Sequence, residues 1–367
     1  MKHFRILVIN PGSTSTKVSL HEDETCLFTK DVFHDSTVLV KFPTINDQLD
    51  YRMEVIYRFL EEDNIDMTQI DAIVGRGGAC YSVESGIYEV NEQMVKDTHD
   101  LKGGLYHSSM LGVQMAWELQ KKYGCRVFMM DPTVMDELQD VARITGIRGI
   151  YRKAYTHALN LKAAAKKYAK DCGRDYKDLR LVVAHIDGGI SIAAHRDGRQ
   201  IDANDAGGGE GPFSPTRMGS MSVTDVLHNL FDKKPEEIRN LCSVSGGLSS
   251  HFGTSNSDVI HKMVEEGDVR ANRVWDAMIY QTNKYIGAMA TVLDGKVDAI
   301  VLTGGLLRFD DVVEKVKASC SWIAPIAVYP GEFEHEAMSS GALSVLRGET
   351  EPKQYTGKPV FVKFLED

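Results

Sequence analysis

The sequence predicts an α/β protein made of two domains of similar architecture that face each other across a central cleft. A hydrophobic strand that runs into a small polar and glycine-rich turn, and then continues as a second strand, occurs twice, at residues 6–17 and 181–195. Helical patterns follow each copy, so the repeat is one of architecture rather than of easily aligned sequence. The length of 367 residues fits two domains of roughly 150 residues each.

The first of these turns has a composition suited to binding phosphate. The apolar run at residues 6–9 leads into NPGSTSTK at residues 10–17. Such a turn exposes backbone N–H groups and hydroxyls to an anion, although an ordinary hairpin is the alternative for this turn taken alone. The side-chain oxygen of Asn10 also suits a metal ion. The residues predicted to bind phosphate here are Asn10, Gly12, Ser13, Ser15 and Lys17.

Two further turns complete the pattern. The apolar residues 181–184 lead into HIDGGIS at residues 185–191, where an oxygen-bearing side chain again stands two places before a glycine. A third apolar run, at residues 297–302, precedes TGGLL at residues 303–307, whose glycines let a helix start close against a flat ligand. The residues predicted to bind the same ligand in these turns are His185, Asp187, Gly188, Gly189, Gly304 and Gly305.

In this order and spacing, the three turns resemble the nucleotide site of the superfamily that contains acetate and sugar kinases, Hsp70 and actin. The resemblance implies two duplicated actin/Hsp70-like ATPase domains with a ribonuclease H-like fold. We assign residues 1–150 plus about 336–367 to an N-terminal domain with the first phosphate turn and the acid-binding residues. Residues 151–335 form the predicted C-terminal nucleotide-binding domain.

Composition excludes several classes of partner. The 42 basic and 52 acidic side chains give a net charge of −10, which argues against general binding to nucleic acid or to anionic membranes. The six cysteines include no CxxC pair, so we expect buried thiols in a reducing compartment. Neither a signal-peptide core nor an apolar run long enough to span a bilayer is present in the sequence. A cytoplasmic location is therefore predicted.

Periodicity and turn residues predict the individual elements. Residues 1–40 are expected to form a meander of strands, and the glycine-rich residues 206–212 a mobile active-site loop, for which a plain surface loop is the alternative. Helix 51–60 is expected to bury Ile56 and Phe59 and to expose Arg52. The remaining predicted strands are 72–74, 126–130, 181–186, 190–195 and 199–203, and the remaining predicted helices are 110–122, 135–143, 158–170 and 271–293.

The chemistry of a carboxylate kinase provides a test for the polar residues. A carboxylate is already ionised near pH 7, so the difficulty is to bring one anion onto a polyanionic phosphate rather than to remove a proton. The site needs cations and neutral donors around the transferring group. Arginines next to glycines and three histidines provide these, with an aspartate to hold one of them in place; a core role is the alternative for each histidine. The candidates are Arg76, His107, Asp131, His157, His185 and Arg217.

These residues resemble the acetate kinase family, in the form found in butyrate kinases and branched-chain fatty acid kinases, over nearly the whole chain. The resemblance implies reversible transfer of the γ-phosphoryl group of ATP to a short-chain carboxylate, which gives an acyl phosphate and uses Mg²⁺. The matching blocks are NPGSTSTK at 10–17, VGRGG at 74–78, the histidine at 107, MD at 130–131, THALN at 156–160, HIDGG at 185–189, SPTR at 214–217 and LTGG at 302–305.

The resemblance also implies roles for single residues. Asn10 and an acid near the C-terminus assist the metal, Arg76 and Arg217 hold the carboxylate and the phosphoryl group, and His157 and His185 steady the transferring group. For the acid, the sequence offers Glu332, Glu334 and Glu336, and we favour Glu336 because a helix is predicted to open at 337. The family further suggests a homodimer or a higher homo-oligomer.

The chain departs from the acetate kinases at two places. Arg76 falls about where they have the histidine of a His-Gly-Gly turn, so Arg217 is the firmer assignment. Gly188 replaces the family's asparagine in the second phosphate turn, with Asp187 beside it.

Two other functions stay open at this point. An alcohol or sugar kinase of the same superfamily needs a base aspartate, which Asp187 or Asp205 could supply. An actin-like or Hsp70-like protein that uses ATP as a switch needs a partner-binding domain, and no segment of that size is visible in the sequence.

Overall fold

The computed structural model describes residues 2–12, 14–104 and 106–365. The chain divides into two compact units, one made of Met1–Asp136 with Phe333–Val362 and the other of Glu137–Glu332 with Lys363–Asp367. Residues 137–150, 333–335 and 363–365 therefore group with the opposite unit from the one that the predicted boundaries give them. The functions assigned to the two domains stay predictions.

Strands make up one mixed sheet in each unit. They are β1 (Arg5–Pro11), β2 (Ser15–Glu22), β3 (Thr25–Phe33), β4 (Ala72–Gly75), β5 (Ile87–Glu89), β6 (Arg126–Met130), β7 (Leu181–Ile186), β8 (Ile190–Arg196), β9 (Arg199–Ala203), β10 (Ala299–Gly304), β11 (Ile326–Pro330) and β12 (Lys353–Gln354).

Helices cover these sheets. They are α1 (Ser36–Leu39), α2 (Leu49–Glu62), α3 (Glu92–His99), α4 (Met110–Tyr123), α5 (Asp140–Arg143), α6 (Ala158–Asp171), α7 (Val223–Asn229), α8 (Pro235–Ser243), α9 (Gly247–Phe252), α10 (Ser257–Glu265), α11 (Val269–Val292), α12 (Asp310–Cys320) and α13 (Glu334–Leu346). Within the described ranges, no helix is both long enough and apolar enough to cross a membrane.

The two sheets share a topology. The order β3-β2-β1-β4-β6 in the first corresponds to β9-β8-β7-β10-β11 in the second, and β5 and β12 extend the first sheet beyond β6. In both, the first strand pairs antiparallel with its hairpin partner and parallel with the strand on its other side. The predicted duplication of architecture is confirmed.

The apolar run of β7 shows why these central strands are hydrophobic without alternation. Val182 and Ala184 pack into a core with α11 and α12, whereas Leu181 and Val183 pack into a second core with α6. Successive side chains of a strand point to opposite faces, so a sheet covered on both faces needs apolar residues at every position.

Local signals set the ends of the longest helices. The carboxylate of Asp268 accepts the backbone N–H of Ala271 at 2.7 Å and caps the start of α11. Gly124 adopts a left-handed conformation with φ of 77° and ends α4.

Three predictions are wrong: the extent of one helix, the exposure of Arg52 and the burial of two cysteines. The helix expected at 135–143 shrinks to α5, because the preceding backbone bonds elsewhere: Asp136 donates to the carbonyl of Val83 and Gln139 to that of Ile201. Arg52 is buried rather than exposed. Cys26 and Cys172 are exposed, since Cys26 lies on the outer strand β3 and Cys172 follows the end of α6.

Glycine allows α4 to approach the end of β4 backbone to backbone. A Cβ atom on Gly112 would lie 2.3 Å from the carbonyl oxygen of Arg76, and one on Gly75 would lie 2.3 Å from the carbonyl oxygen of Gly112. Both distances are far below van der Waals contact, so neither position accepts a side chain without movement of the main chain. This approach places Arg76 at the end of the strand.

We expect Gly112→Ala to lower the free energy of unfolding by about 2 kcal/mol, because the added methyl group meets backbone on the facing element. Gly287→Ala in α11 is the matched control, since a Cβ atom there meets nothing within 4 Å. That change is expected to stabilise the protein by roughly 0.5–1 kcal/mol, the usual preference of a helix for alanine. Equilibrium urea denaturation measures both, and equal stability of the two variants would contradict the packing argument.

Candidate active site

A buried arginine, Arg52, donates hydrogen bonds to the turn between β1 and β2. The N–H of Gly12 donates to the carbonyl of Ser15 at 2.7 Å. The guanidinium of Arg52, which is 1% exposed, donates from α2 to the carbonyls of Gly12 at 3.0 Å and Ser15 at 3.5 Å. Burial lowers the pKa of Arg52 to about 10, so it stays cationic near neutral pH. This fixed positive charge next to the turn favours the binding of an anion there. Ser13, which was also predicted to bind in this turn, lies outside the described residues.

Sequence reasoning missed Arg52, although a signal was present. Arg52, Ile56, Phe59 and Leu60 are spaced i, i+4, i+7 and i+8, so the arginine belongs to the apolar stripe of α2. A charged residue within such a stripe indicates a buried polar partner.

The acid that reaches Asn10 is Glu334. The side-chain amide of Asn10 donates to its carboxylate at 2.9 Å, and Arg76 forms an ion pair with the same carboxylate. Arg76 is 7% and Glu334 4% exposed. Glu336, which the sequence favoured, is exposed, because α13 begins at Glu334 rather than at 337 and its first turn directs the earlier residue inward.

A chain of hydrogen bonds fixes the start of α13. The hydroxyl of Ser19 lies 2.6 Å from Nδ1 of His335 and 2.9 Å from Nε2 of His21. Burial lowers the pKa of His335 to about 3, so its imidazole is neutral. These contacts orient the residue next to Glu334.

The other two candidates of the first unit lie in separate local networks. His107 precedes α4, and its Nδ1 lies 3.1 Å from the hydroxyl of Ser109. Asp131, 1% exposed, accepts the hydroxyl of Ser85 at 2.7 Å and the N–H of Gly86 at 2.8 Å. Asp131 therefore fixes the turn before β5, and within the described residues its side-chain hydrogen bonds go to neither a histidine nor an arginine.

In the second unit, Asp187 joins two glycine turns. Its Oδ1 accepts the N–H of Gly188 at 2.7 Å, and its Oδ2 accepts the N–H of Gly305 at 2.6 Å. The carbonyl of Gly188 accepts the hydroxyls of Ser214 and Thr216, both at 2.8 Å. The turns after β7 and β10 and the segment that carries Arg217 are thus connected by hydrogen bonds.

His157 and His185 stack on each other, with ring centroids 4.1 Å apart and planes 27° apart. The amide of Asn160 donates to Nδ1 of His185 at 2.8 Å. The hydroxyl of Ser191 accepts the backbone N–H of His157 at 3.3 Å and lies 2.8 Å from its Nδ1. Since Nδ1 of His185 accepts a hydrogen bond from an amide, a neutral His185 ring carries its proton on Nε2 and can donate it to an anion.

Arg217 lies flat against the second phosphate turn. A Cβ atom on Gly189 would come 2.4 Å from its Cζ, so only glycine permits this approach. Burial lowers the pKa of Arg217 to about 10, and the carboxylate of Asp205 acts in the opposite direction. The guanidinium therefore stays charged near neutral pH, although its side chain is partly buried.

Glu210 connects the glycine-rich loop at 206–212 to Asp205, which precedes the loop, and to Arg152. The carboxylate of Glu210 accepts the N–H of Asp205 at 2.8 Å and forms an ion pair with Arg152 at 3.0 Å. Burial raises the pKa of Asp205 to about 6, against the hydrogen bond from the N–H of Gly208. The mobility of the loop stays a prediction.

Comparison with known proteins places this arrangement in a family. Residues 59–318 match the acetokinase family. The chain is 42% identical over 354 residues to a probable butyrate kinase of Listeria monocytogenes, covering 96% of this chain and 99% of the relative. Butyrate kinase 2 of Clostridium acetobutylicum is likewise 42% identical, over 356 residues, with the same coverage of both chains. The chain belongs to the acetokinase family.

A solved structure supports the fold. The crystal structure of Porphyromonas gingivalis acetate kinase matches with a TM-score of 0.74 at 19% identity and covers 94% of this chain and 100% of that one. The predicted actin/Hsp70-like fold class is confirmed. With the family, the predicted enzyme class is confirmed as well: the chain is an ATP-dependent carboxylate kinase.

Sequence reasoning on this family member also left out the residues that hold its histidines. Asn160 and Ser191 are 0% exposed, as is Thr303, whose hydroxyl lies 3.2 Å from the amide of Asn160. Asn160 and Ser191 stand inside blocks that the sequence singled out, at 156–160 and 185–191. A polar residue within a buried block was the available signal.

We expect Glu334→Gln to lower the free energy of unfolding by about 3 kcal/mol, because Arg76 is then left buried without a counter-charge. Glu336→Gln is the matched control, since it removes the same charge from the same helical turn at an exposed position. Urea denaturation of both variants measures the difference. Equal losses would show that the ion pair does not stabilise the fold.

Asp205→Asn tests the cost of burying that carboxylate. A folded-state pKa above the unfolded value means that the charged form is destabilised by folding, so the wild type loses stability as pH rises through about 6. We expect the variant to be more stable than the wild type by about 2 kcal/mol above pH 7, with the difference disappearing below about pH 4. Thermal unfolding across this range measures the effect, and a difference independent of pH would contradict it.

Proposed function

We propose that this enzyme phosphorylates butyrate or a branched short-chain relative with ATP, reversibly, by direct phosphoryl transfer to give the acyl phosphate and ADP. The observation that carries the choice of acid is the 42% identity, over nearly the full length of both chains, to proteins named butyrate kinase. The proposed nucleotide residues of the two phosphate turns, together with Arg217 and the two stacked histidines, are suited to phosphoryl transfer.

Phosphoryl transfer to a carboxylate requires stabilisation of charge rather than a base. The carboxylate of the acid attacks in its ionised form, and the phosphoryl group in transit carries its charge on three oxygens. Arg217 can donate two parallel hydrogen bonds to such an anion. His185 supplies a neutral N–H donor from Nε2, which stabilises the group without adding a competing salt bridge, and His157 stacks against its ring.

Arg76 has a narrower role in this proposal. Its charge is already paired with Glu334, so a substrate carboxylate has to share the guanidinium with that residue. We therefore assign Arg76 to orienting the acid together with the Asn10 and Glu334 pair. His107 and Asp131 stay candidates through the family resemblance.

Magnesium is the proposed divalent ion. Ligating atoms of His185, Asp187 and Glu332 all lie within 4.8 Å of one another, and two of the three are carboxylates. Carboxylate oxygens suit Mg²⁺, which also accepts ligands from substrate phosphates. In the second unit, Asp187 and Glu332 would hold the ion, which would supply neutralisation of phosphate charge. In the first unit, Asn10 and Glu334 are separate candidate ligands. A cytoplasmic location and a homo-oligomeric state stay predictions.

A trapping assay tests the proposed substrate. Purified enzyme with ATP, Mg²⁺ and hydroxylamine converts any acyl phosphate into a hydroxamate that can be measured by its colour with iron. We expect the product to be greatest with butyrate, isobutyrate or valerate and smaller with acetate and propionate. Product from glycerol or sugars but from none of these acids would favour the alcohol kinase instead.

Arg217→Ala is expected to lower kcat by about a thousandfold with the fold intact, because a cation that stabilises the transferring phosphoryl group is lost. The control is Arg239→Ala, which removes a guanidinium whose side chain is 74% exposed on α8 and should leave kcat unchanged. Steady-state kinetics with butyrate measures both, and circular dichroism checks the fold. Near-normal turnover of the first variant would remove Arg217 from the mechanism.

A further inference from the structure

The turn after β7 already holds an anion that belongs to the chain. The carboxylate of Asp187 accepts one backbone N–H through each oxygen, from Gly188 at 2.7 Å and from Gly305 at 2.6 Å. Gly188 lies in the second predicted phosphate turn, whereas Gly305 lies in the glycine turn that the sequence predicts to lie against a flat part of the same ligand. One side chain therefore occupies a hydrogen-bond donor in each of two turns predicted to bind the nucleotide.

Glycine packing makes this contact possible. A Cβ atom on Gly305 would lie 2.6 Å from Oδ2 of Asp187, and one on Gly304 would lie 2.4 Å from the carbonyl oxygen of Ile186. The start of the turn after β10 thus touches the end of β7 through main chain alone. Any side chain at these positions would push the two turns apart and separate the carboxylate from the second donor.

Backbone dipoles, rather than a cationic side chain, balance the charge of Asp187. Among the residues that the structure describes, it forms no ion pair with a lysine or an arginine. The ionisable groups that face it in the candidate cluster are His185 and the carboxylate of Glu332. Successive N–H groups in glycine turns bind phosphate oxygens in the same way, with similar donor distances. The donors that hold this carboxylate are therefore of the kind that binds a phosphate oxygen.

We propose that Asp187 is an internal competitor of the nucleotide phosphates and sets the affinity for ATP and ADP. Its carboxylate occupies the N–H donors of Gly188 and Gly305 in the nucleotide-free enzyme and leaves them when a phosphate group binds. Binding is then weakened by the two hydrogen bonds that break and by repulsion between the carboxylate and the phosphates. This proposal rests on the proposed function, since it requires that these turns bind nucleotide.

The experiment compares nucleotide affinity in three proteins. Isothermal titration calorimetry with ADP in EDTA measures the competition without a cation that could bridge the carboxylate and the phosphates. We expect Asp187→Gly to bind ADP about tenfold more tightly than the wild type, because both donors are free and the repulsion is gone. Asp187→Asn, which keeps the size and one acceptor oxygen but removes the charge, is expected to show a smaller gain in the same direction.

Asp197→Asn is the matched control. This residue follows β8, in the turn to β9, its side chain is 82% exposed, and it already has a left-handed φ of 55°, which asparagine tolerates. The change removes one negative charge close to the same hairpin without touching the phosphate donors, so ADP affinity is expected to stay that of the wild type. A gain in this control equal to that of the Asp187 variants would overturn the proposal, because net charge alone would explain it.

The kinetic readout separates affinity from chemistry. In the butyrate assay, Mg²⁺ is present and the Asp187 variants lack a proposed ligand of that ion, so the gain in affinity is read from the ADP titration in EDTA, and the KM for butyrate is expected to stay that of the wild type. Unchanged or weaker ADP binding by both variants, each folded by circular dichroism, would overturn the proposal. If the wild type itself binds no nucleotide and forms no acyl phosphate, the proposed function falls and this inference with it; an active wild type with unaltered affinity in the variants removes the inference alone.

Discussion

Close approach of main chain to main chain at the ends of the central strands is the constraint on which the rest of the structure depends. Gly75 and Gly112 bring α4 against the end of β4, and Gly304 lies against the carbonyl of Ile186 at the end of β7. Because these contacts involve no side chains, the main chain can pack closely at the ends of β4 and β7, next to the candidate residues Arg76 and Asp187. A bulkier residue would both loosen the packing and move the donors.

Buried and half-buried cations follow from this arrangement in a protein with a net charge of −10. Arg52 supports the first turn from below, Arg76 is neutralised by Glu334, and Arg217 lies on Gly189. A guanidinium keeps its proton even where burial lowers its pKa to about 10. The positive charge needed for a polyanionic substrate is therefore concentrated at the turns, while the surface as a whole repels anions.

The sequence alone was sufficient for the fold class, the strands of both hairpins, most of the long helices and the family. These depend on hydrophobic periodicity and on glycine-rich turns, which are properties of a few neighbouring residues. It also singled out His157, His185 and Arg217, because each stands in a short motif of polar and small residues. It failed on the helix at 135–143, where the apolar pattern is helical but the backbone bonds to other segments.

Only the tertiary structure decided which partner each polar group finds. Asn10 and Glu334 lie 324 residues apart in sequence, and nothing local distinguishes Glu334 from Glu332 or Glu336. The bond from Gly305 to Asp187 likewise joins turns 118 residues apart. The sequence determined the elements because their hydrogen bonds and apolar faces are local. The choice of Glu334 as the partner of Asn10, the burial of Arg52 and the contact of Asp187 with Gly305 depend instead on how distant segments pack.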